Sequence, residues 1–291
     1  MVVQGFLQGL HGSPFQGFSV QFADHRRYNR GDDPRLIDWL VYAKTDKYFI
    51  KRFEAETNIT GYLAIDTSAS MGVHSSLAGH TDTDTMTKFE YCTCLAAALT
   101  YLMTLQQDPV GLVALGERMR ALLPPRSRRG HLSEVVAAIS RLEPKGTVDL
   151  VGGLSRLSAM MGKNSLVMVF SDLMPSGDQA DDVEKHLDET ISALSRLKHG
   201  GNDVIVFHVL DEAEVNFPFE GPITFEDAES GEAITVDASG FRDVYLDQLR
   251  HFRESLVSRC GDLNIDLVLL HTGMAFDTAL TEYLLERQRS G

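Results

Sequence analysis

Asp66-Thr67-Ser68-Ala69-Ser70 sets one carboxylate and two hydroxyls at alternate positions, directly after the apolar run 61–65. A second carboxylate, Asp172, comes after Ser171 at the end of another apolar run, 166–170. Both runs are short, β-rich and bounded by polar residues, as buried strands are. In an open α/β sheet, ligands bind at the carboxyl ends of the strands. Asp66 and Asp172 are therefore expected at one edge, with Ser68 and Ser70 beside them. Hydroxyls backed by water-bridging carboxylates suit a hard divalent cation such as Mg²⁺ or Mn²⁺, which takes oxygen ligands and keeps several waters. A cation held largely by neutral hydroxyls stays electrophilic and can accept an Asp or Glu from another protein, which is a binding mechanism. Asp and Ser are also ordinary turn formers and helix caps after any strand, so the pattern by itself is weak.

Catalysis is disfavoured on the same residues. No His lies in either strand-end segment, there is no G-x-S-x-G, and Gly162-Lys163-Asn164 lacks the spacing and hydroxyl of a phosphate-binding loop. Asp66 opens D-T-S rather than the D-x-D of phosphoaspartate phosphatases. The alternative reading is a metal-dependent phosphoesterase or other hydrolase that uses the Asp66 and Asp172 edge.

The elements that must position these groups emerge from periodicity. Six strands are expected at 61–65, 110–115, 119–123, 166–170, 204–210 and 265–270, and helices at 88–105, 131–142, 150–160, 181–197, 241–259 and 275–287. Strands alternating with helices predict an α/β fold, an open, mostly parallel sheet covered on both faces. That domain spans 59–291. Residues 217–236 interrupt it as a hairpin insertion whose Gly231 suits a positive φ. Residues 1–58, rich in Gly, Arg, Asp and aromatics with one alternating stretch at 48–53, form an appendage too charged to fold alone and expected to rest on the main domain. The polar run 72–87, with His74, His80, Asp82 and Asp84, reads as a long solvated loop.

Composition narrows the function classes. In 291 residues, 27 Lys and Arg stand against 41 Asp and Glu, a formal charge of -14, which repels nucleic acid over most of the surface. Arg126-Ser127-Arg128-Arg129 is a basic island in that field. Three cysteines, Cys92, Cys94 and Cys260, include no C-x-x-C pair, so neither a disulfide framework nor a zinc knuckle is indicated. No run reaches the roughly 18 apolar residues of a membrane span, and no basic leader precedes an apolar core. A cytoplasmic protein is expected.

The D-x-S-x-S turn resembles the metal-ion-dependent adhesion site of von Willebrand factor A domains. That resemblance implies Ser68 and Ser70 as direct ligands of Mg²⁺ or Mn²⁺, Asp66 and Asp172 in support, and a threonine before a helix. Thr147 is the candidate, although the usual register puts Val148 there, and Thr147 serves only if the loop carries one extra residue. Arg27-Tyr28-Asn29-Arg30-Gly31-Asp32-Asp33-Pro34-Arg35-Leu36-Ile37-Asp38-Trp39, with Ala43-Lys44-Thr45 and the earlier Ser13-Pro14-Phe15-Gln16-Gly17-Phe18, resembles the long motif of the DUF58 family in its soluble branch. Family members join such a segment to a von Willebrand A domain. The resemblance implies a metal-dependent protein-interaction module, an adaptor or recruiting factor working with a MoxR-type AAA+ ATPase. In the motif, Arg27, Arg35, Asp32, Asp33 and Asp38 are expected to brace the appendage against the sheet through ion pairs, with Trp39 buried beneath as its anchor.

Overall fold

The computed structural model describes residues 20–28, 32, 37–55, 59–73, 86–128, 130–175, 182–276 and 278. The loop residues His74, His80, Asp82 and Asp84, most of the expected helix 275–287, and Asp33, Arg35 and Arg129 lie outside them.

Contacts divide the chain into two compact units, one of Ser13–Asn58 and a larger one that holds Ile59–Gly291. In the smaller unit, β1 (Val20–Arg27) pairs antiparallel with β2 (Phe49–Ala55), and α1 (Trp39–Thr45) lies between them in sequence. Neither β1 nor α1 is legible from periodicity, because α1 is only about two turns long with no buried residue. Its N-terminus is set by Asp38, whose Oδ1 accepts from the backbone N–H groups of Leu40 and Val41 at 2.9 and 3.3 Å. Asp32 pairs with Arg26 at 2.8 Å. Trp39, at the first helical position, is 60% exposed and meets Tyr42 edge-on, while Tyr42 stacks on Tyr48 at 4.6 Å. Within its own unit Trp39 is thus not an enclosed ring. Trp39→Ala should change the unfolding free energy by no more than about 0.5 kcal/mol; a denaturant melt showing a loss several times larger would place the ring in an interface.

The larger unit contains β3 (Thr60–Asp66), α2 (Lys88–Leu105), β4 (Val110–Leu115), β5 (Arg120–Arg126), α3 (His131–Ile139), α4 (Leu150–Met160), β6 (Ser165–Ser171), α5 (Val183–His199), β7 (Asp203–Leu210), α6 (Glu212–Asn216), β8 (Pro222–Glu226), β9 (Ala233–Asp237), α7 (Ala238–Asp262) and β10 (Asp266–His271). Six strands form one sheet in the order β10-β7-β6-β3-β4-β5. All neighbours are parallel except β5, which pairs antiparallel with β4 at the edge. β5 runs through Pro124 and Pro125, beyond the expected end at 123, because an edge strand can leave its outer hydrogen-bonding side to residues without an N–H.

Alternation divides the core in two. Leu63 and Ile65 of β3, Met168 and Phe170 of β6, and Ile205 and Phe207 of β7 pack beneath α2 and α3. Ala64, Val167, Val169, Val204 and Val206 face α4, α5 and α7. The central strands are buried on both faces, as continuous apolar runs in parallel sheets are.

One buried group titrates against the fold. Asp108, between α2 and β4, is buried and accepts from the Ile59 N–H at 3.3 Å. Burial pushes its carboxyl up to about 7, with that hydrogen bond opposing. A carboxyl whose folded pKa is raised binds its proton more tightly folded than unfolded, so its contribution falls as pH climbs from the unfolded value toward the folded one. Asp108→Asn keeps the acceptor without the charge. Between about pH 5 and about pH 8 the wild type should lose on the order of 2 kcal/mol relative to this variant; a difference that does not change with pH would show the carboxylate ionised throughout.

Candidate functional site

β3 and β6 are adjacent central strands, and the chain leaves β3 toward β4 on one side while β6 continues the sheet on the other. Their carboxyl ends therefore flank the topological switch point, the place where open α/β sheets form a crevice. Asp66 ends β3, and Asp172 comes directly after Ser171 at the end of β6.

The turn after β3 is fixed from several sides. The Thr67 N–H and hydroxyl both donate to the Leu115 carbonyl at 2.7 Å. Lys145 N–H donates to the Thr67 carbonyl at 2.9 Å, and Ala69 N–H donates to the Gly146 carbonyl at 2.8 Å. Asp66 lies beneath, its Oδ1 accepting from Ser68 N–H at 2.9 Å and its Oδ2 from the Ser171 hydroxyl at 2.6 Å. The Ser68 and Ser70 hydroxyls are 3.1 Å apart, and Ser70 donates to Asp172 Oδ2 at 3.4 Å. Asp172 Oδ1 accepts from Met174 N–H at 3.1 Å. Leu173, between them, is held at φ 53°, a left-handed conformation costly for a leucine and of the kind found at functional turns. Its N–H donates to the Ser171 hydroxyl at 3.0 Å.

Four of the five expected residues, Asp66, Ser68, Ser70 and Asp172, thus meet at one edge. Thr147 lies in the loop next to the turn after β3. Its loop is stitched to the turn through Lys145 and Gly146, but its side chain is exposed and shares no hydrogen bond with the other four among the described residues. Val148, in the register the resemblance would assign to a ligand, packs on the apolar cluster beside α4.

Three participants were not read as site members. Ser171 links Asp66 to the backbone of Leu173. Lys88, the first residue of α2, sends its ammonium to Asp172 Oδ2 at 2.7 Å and to Glu214 Oε1 at 2.9 Å, with only 3% of its side chain exposed. Glu214 belongs to α6, where its other oxygen accepts from Asp211 N–H at 2.7 Å in a capping box. Glu214 was within reach of sequence reasoning, since D-x-x-E comes right after the apolar run of β7 at the same sheet edge. Lys88 was not, since nothing local distinguishes it from a solvated lysine.

These contacts order the charges. Burial would pull the Lys88 amine down, but the Asp172 and Glu214 carboxylates reverse it and hold the ammonium above the ordinary lysine range. Burial works to raise the Asp172 carboxyl, and Lys88 overcomes it and keeps Asp172 below its usual range. Asp66 has no such cation. Burial, and after it the Asp172 charge, pushes it up to about 6 against the hydrogen bonds of Ser171 and Ser68. His208, on β7 opposite Ser171, is fully buried and pushed down to about 4 by that burial, so it is neutral. Cys92, buried nearby, has its thiol raised, first by burial and then by the two aspartates.

Mg²⁺ or Mn²⁺ would need the Asp172 carboxylate, and that group is already engaged by an ammonium at contact distance. A divalent ion added beside Nζ would be repelled. As arranged, the Asp172 carboxylate is neutralised by the Lys88 ammonium.

Ser70 and Lys88 open onto a cleft of about 480 Å³. Its far wall is the β8–β9 hairpin, whose Gly231 has the expected positive φ of 72°. Phe217, Phe219, Phe225 and Tyr245 form one aromatic cluster there, with ring centroids 4.9 to 5.9 Å apart. The insertion read as an interruption is a wall of the site.

Among the described residues no helix is long and apolar enough to cross a membrane. The chain is 23% identical to an uncharacterized protein of Mycobacterium tuberculosis over 99% of this chain and 86% of that one. Among solved structures it is similar to the conserved hypothetical protein BatB from Bacteroides thetaiotaomicron, at 15% identity and TM-score 0.46, covering 79% of this chain and 99% of that one. A von Willebrand factor type A protein from Catenulispora acidiphila matches at 13% identity and TM-score 0.36, covering 67% and 43% of the two chains. The strand order, with D-x-S-x-S ending the central strand, makes the larger unit von Willebrand A-like. The family described as "Protein of unknown function DUF58" matches residues 24–255, and the chain belongs to it.

Proposed function

We propose that this chain is a protein-interaction module that docks its partner at the carboxyl edge of the parallel sheet. The observation that carries the reading is the cleft itself, aromatic around Phe217, Phe219, Phe225 and Tyr245, acidic at Glu226, Asp227 and Glu229 of the hairpin, and polar where Ser70 and Lys88 line it at the switch point. Apolar surface with a few convergent polar groups is what a recognition site offers. The family resemblance extends the proposal to an adaptor or recruiting role with a MoxR-type AAA+ ATPase.

The hydrolase reading has less behind it. A serine nucleophile needs a base, and Lys88, held as an ammonium by two carboxylates, cannot take a proton from Ser70. Turnover of generic phosphoesters that Asp66→Ala abolishes would revive it.

Docking is tested with a purified MoxR-type ATPase from the same organism. Phe225 on β8 is half-buried in the cleft wall, and Phe225→Asp should weaken association about tenfold or more by placing a charge among the aromatic rings of the cleft. Unchanged affinity, on protein shown to be folded, would move the interface away from this edge.

A further inference from the structure

We propose that the Lys88 ammonium is the resident cation of this site, paired with Asp172 and Glu214 and so holding the carboxylate that a divalent ion at Ser68 and Ser70 would need, and that the site is assembled without metal. The inference is independent of whether the edge docks a partner. Nζ lies 2.7 Å from Asp172 Oδ2 and 2.9 Å from Glu214 Oε1, while Ser70 donates to the same Asp172 oxygen. The ammonium thus ties the end of β6 to helix α6, and through Asp172 the turn after β3 joins them. The position of Lys88 argues the same way. It is the first residue of α2, where the helix dipole disfavours a positive charge, and its side chain is buried, where an unpaired ammonium is costly. Only the two carboxylates compensate both effects. An ammonium has three N–H donors; two are spent on Asp172 and Glu214, and the third is left for an acceptor in the cleft that Lys88 lines.

The test titrates Mn²⁺ into the full chain and tracks uptake by electron paramagnetic resonance, in wild type, Ser70→Ala, Lys88→Met and the Lys88→Met, Ser70→Ala double variant. Wild type and Ser70→Ala should take up Mn²⁺ identically. Lys88→Met, with Asp172, Glu214 and two hydroxyls released, should gain a site about tenfold tighter than any in the wild type, and the double variant should lose it. A wild-type site that Ser70→Ala removes would overturn the proposal, because metal would then bind despite Lys88. So would a folded Lys88→Met with wild-type uptake. If Lys88→Met is too unstable for titration, its melting temperature is read with and without Mn²⁺: a rise absent from the wild type supports the proposal, and no rise overturns it.

Discussion

Lys88→Met should lower the unfolding free energy by about 3 to 5 kcal/mol, the cost of leaving one member of a buried ion pair without its partner. The stranded group is Asp172, whose side chain is 4% exposed and whose Oδ2 then keeps only the 3.4 Å contact with Ser70. Methionine fills much of the volume of the lysine stem, so the loss reports the charge rather than a cavity. The companion measurement is Lys88→Met with Asp172→Asn. Neutralising the carboxylate should restore on the order of 2 kcal/mol, since a buried pair is worth far less against a neutral replacement than against a broken one. Chemical denaturation of the wild type, the two single variants and the double variant gives the coupling directly. Purely additive losses would mean that Lys88 and Asp172 do not sense each other in the folded state.

Phe217→Ala should cost about 3 to 5 kcal/mol, as removal of a buried aromatic ring does. Phe217 is 2% exposed and meets Phe219, Phe225, Phe241 and Tyr245. An isolated two-stranded hairpin is marginal in water, and β8–β9 forms its own two-stranded sheet, separate from the main one. The aromatic cluster is what holds the hairpin against α7, so its amides should lose hydrogen-exchange protection in the variant while those of β3 and β6 keep theirs. Protection lost equally in all three strands would instead make Phe217 part of the global core. Partner affinity should fall with hairpin protection if the cleft is the docking site.

How much can be read along the chain depends on how local each signal is. The central strands are buried on both faces, so their apolar runs mark them to within a residue or two, and α2 and α4 begin and end where periodicity predicts. Asp66, Ser68, Ser70 and Asp172 were legible because each comes at or just beyond the end of such a strand, and parallel pairing leaves the carboxyl ends of β3 and β6 side by side. β1 and α1 were not: α1 is too short for a helical period to register, and its start depends on one cap, Asp38. Trp39 shows the limit of reading composition, since nothing in that charged segment marks it as the first residue of a short helix.

The amino-acid sequence by itself determined the α/β architecture, the edge at which chemistry collects and the hairpin insertion, because those depend on periodicity and on the residues immediately after each strand. Tertiary structure alone decided what fills that edge. Lys88 is 84 residues from Asp172 and 126 from Glu214, and no local pattern separates a lysine that opens a helix toward solvent from one that turns inward. Only the folded sheet brings the two carboxylates close enough to make the buried ammonium favourable, and with it to give the site its cation from the chain itself.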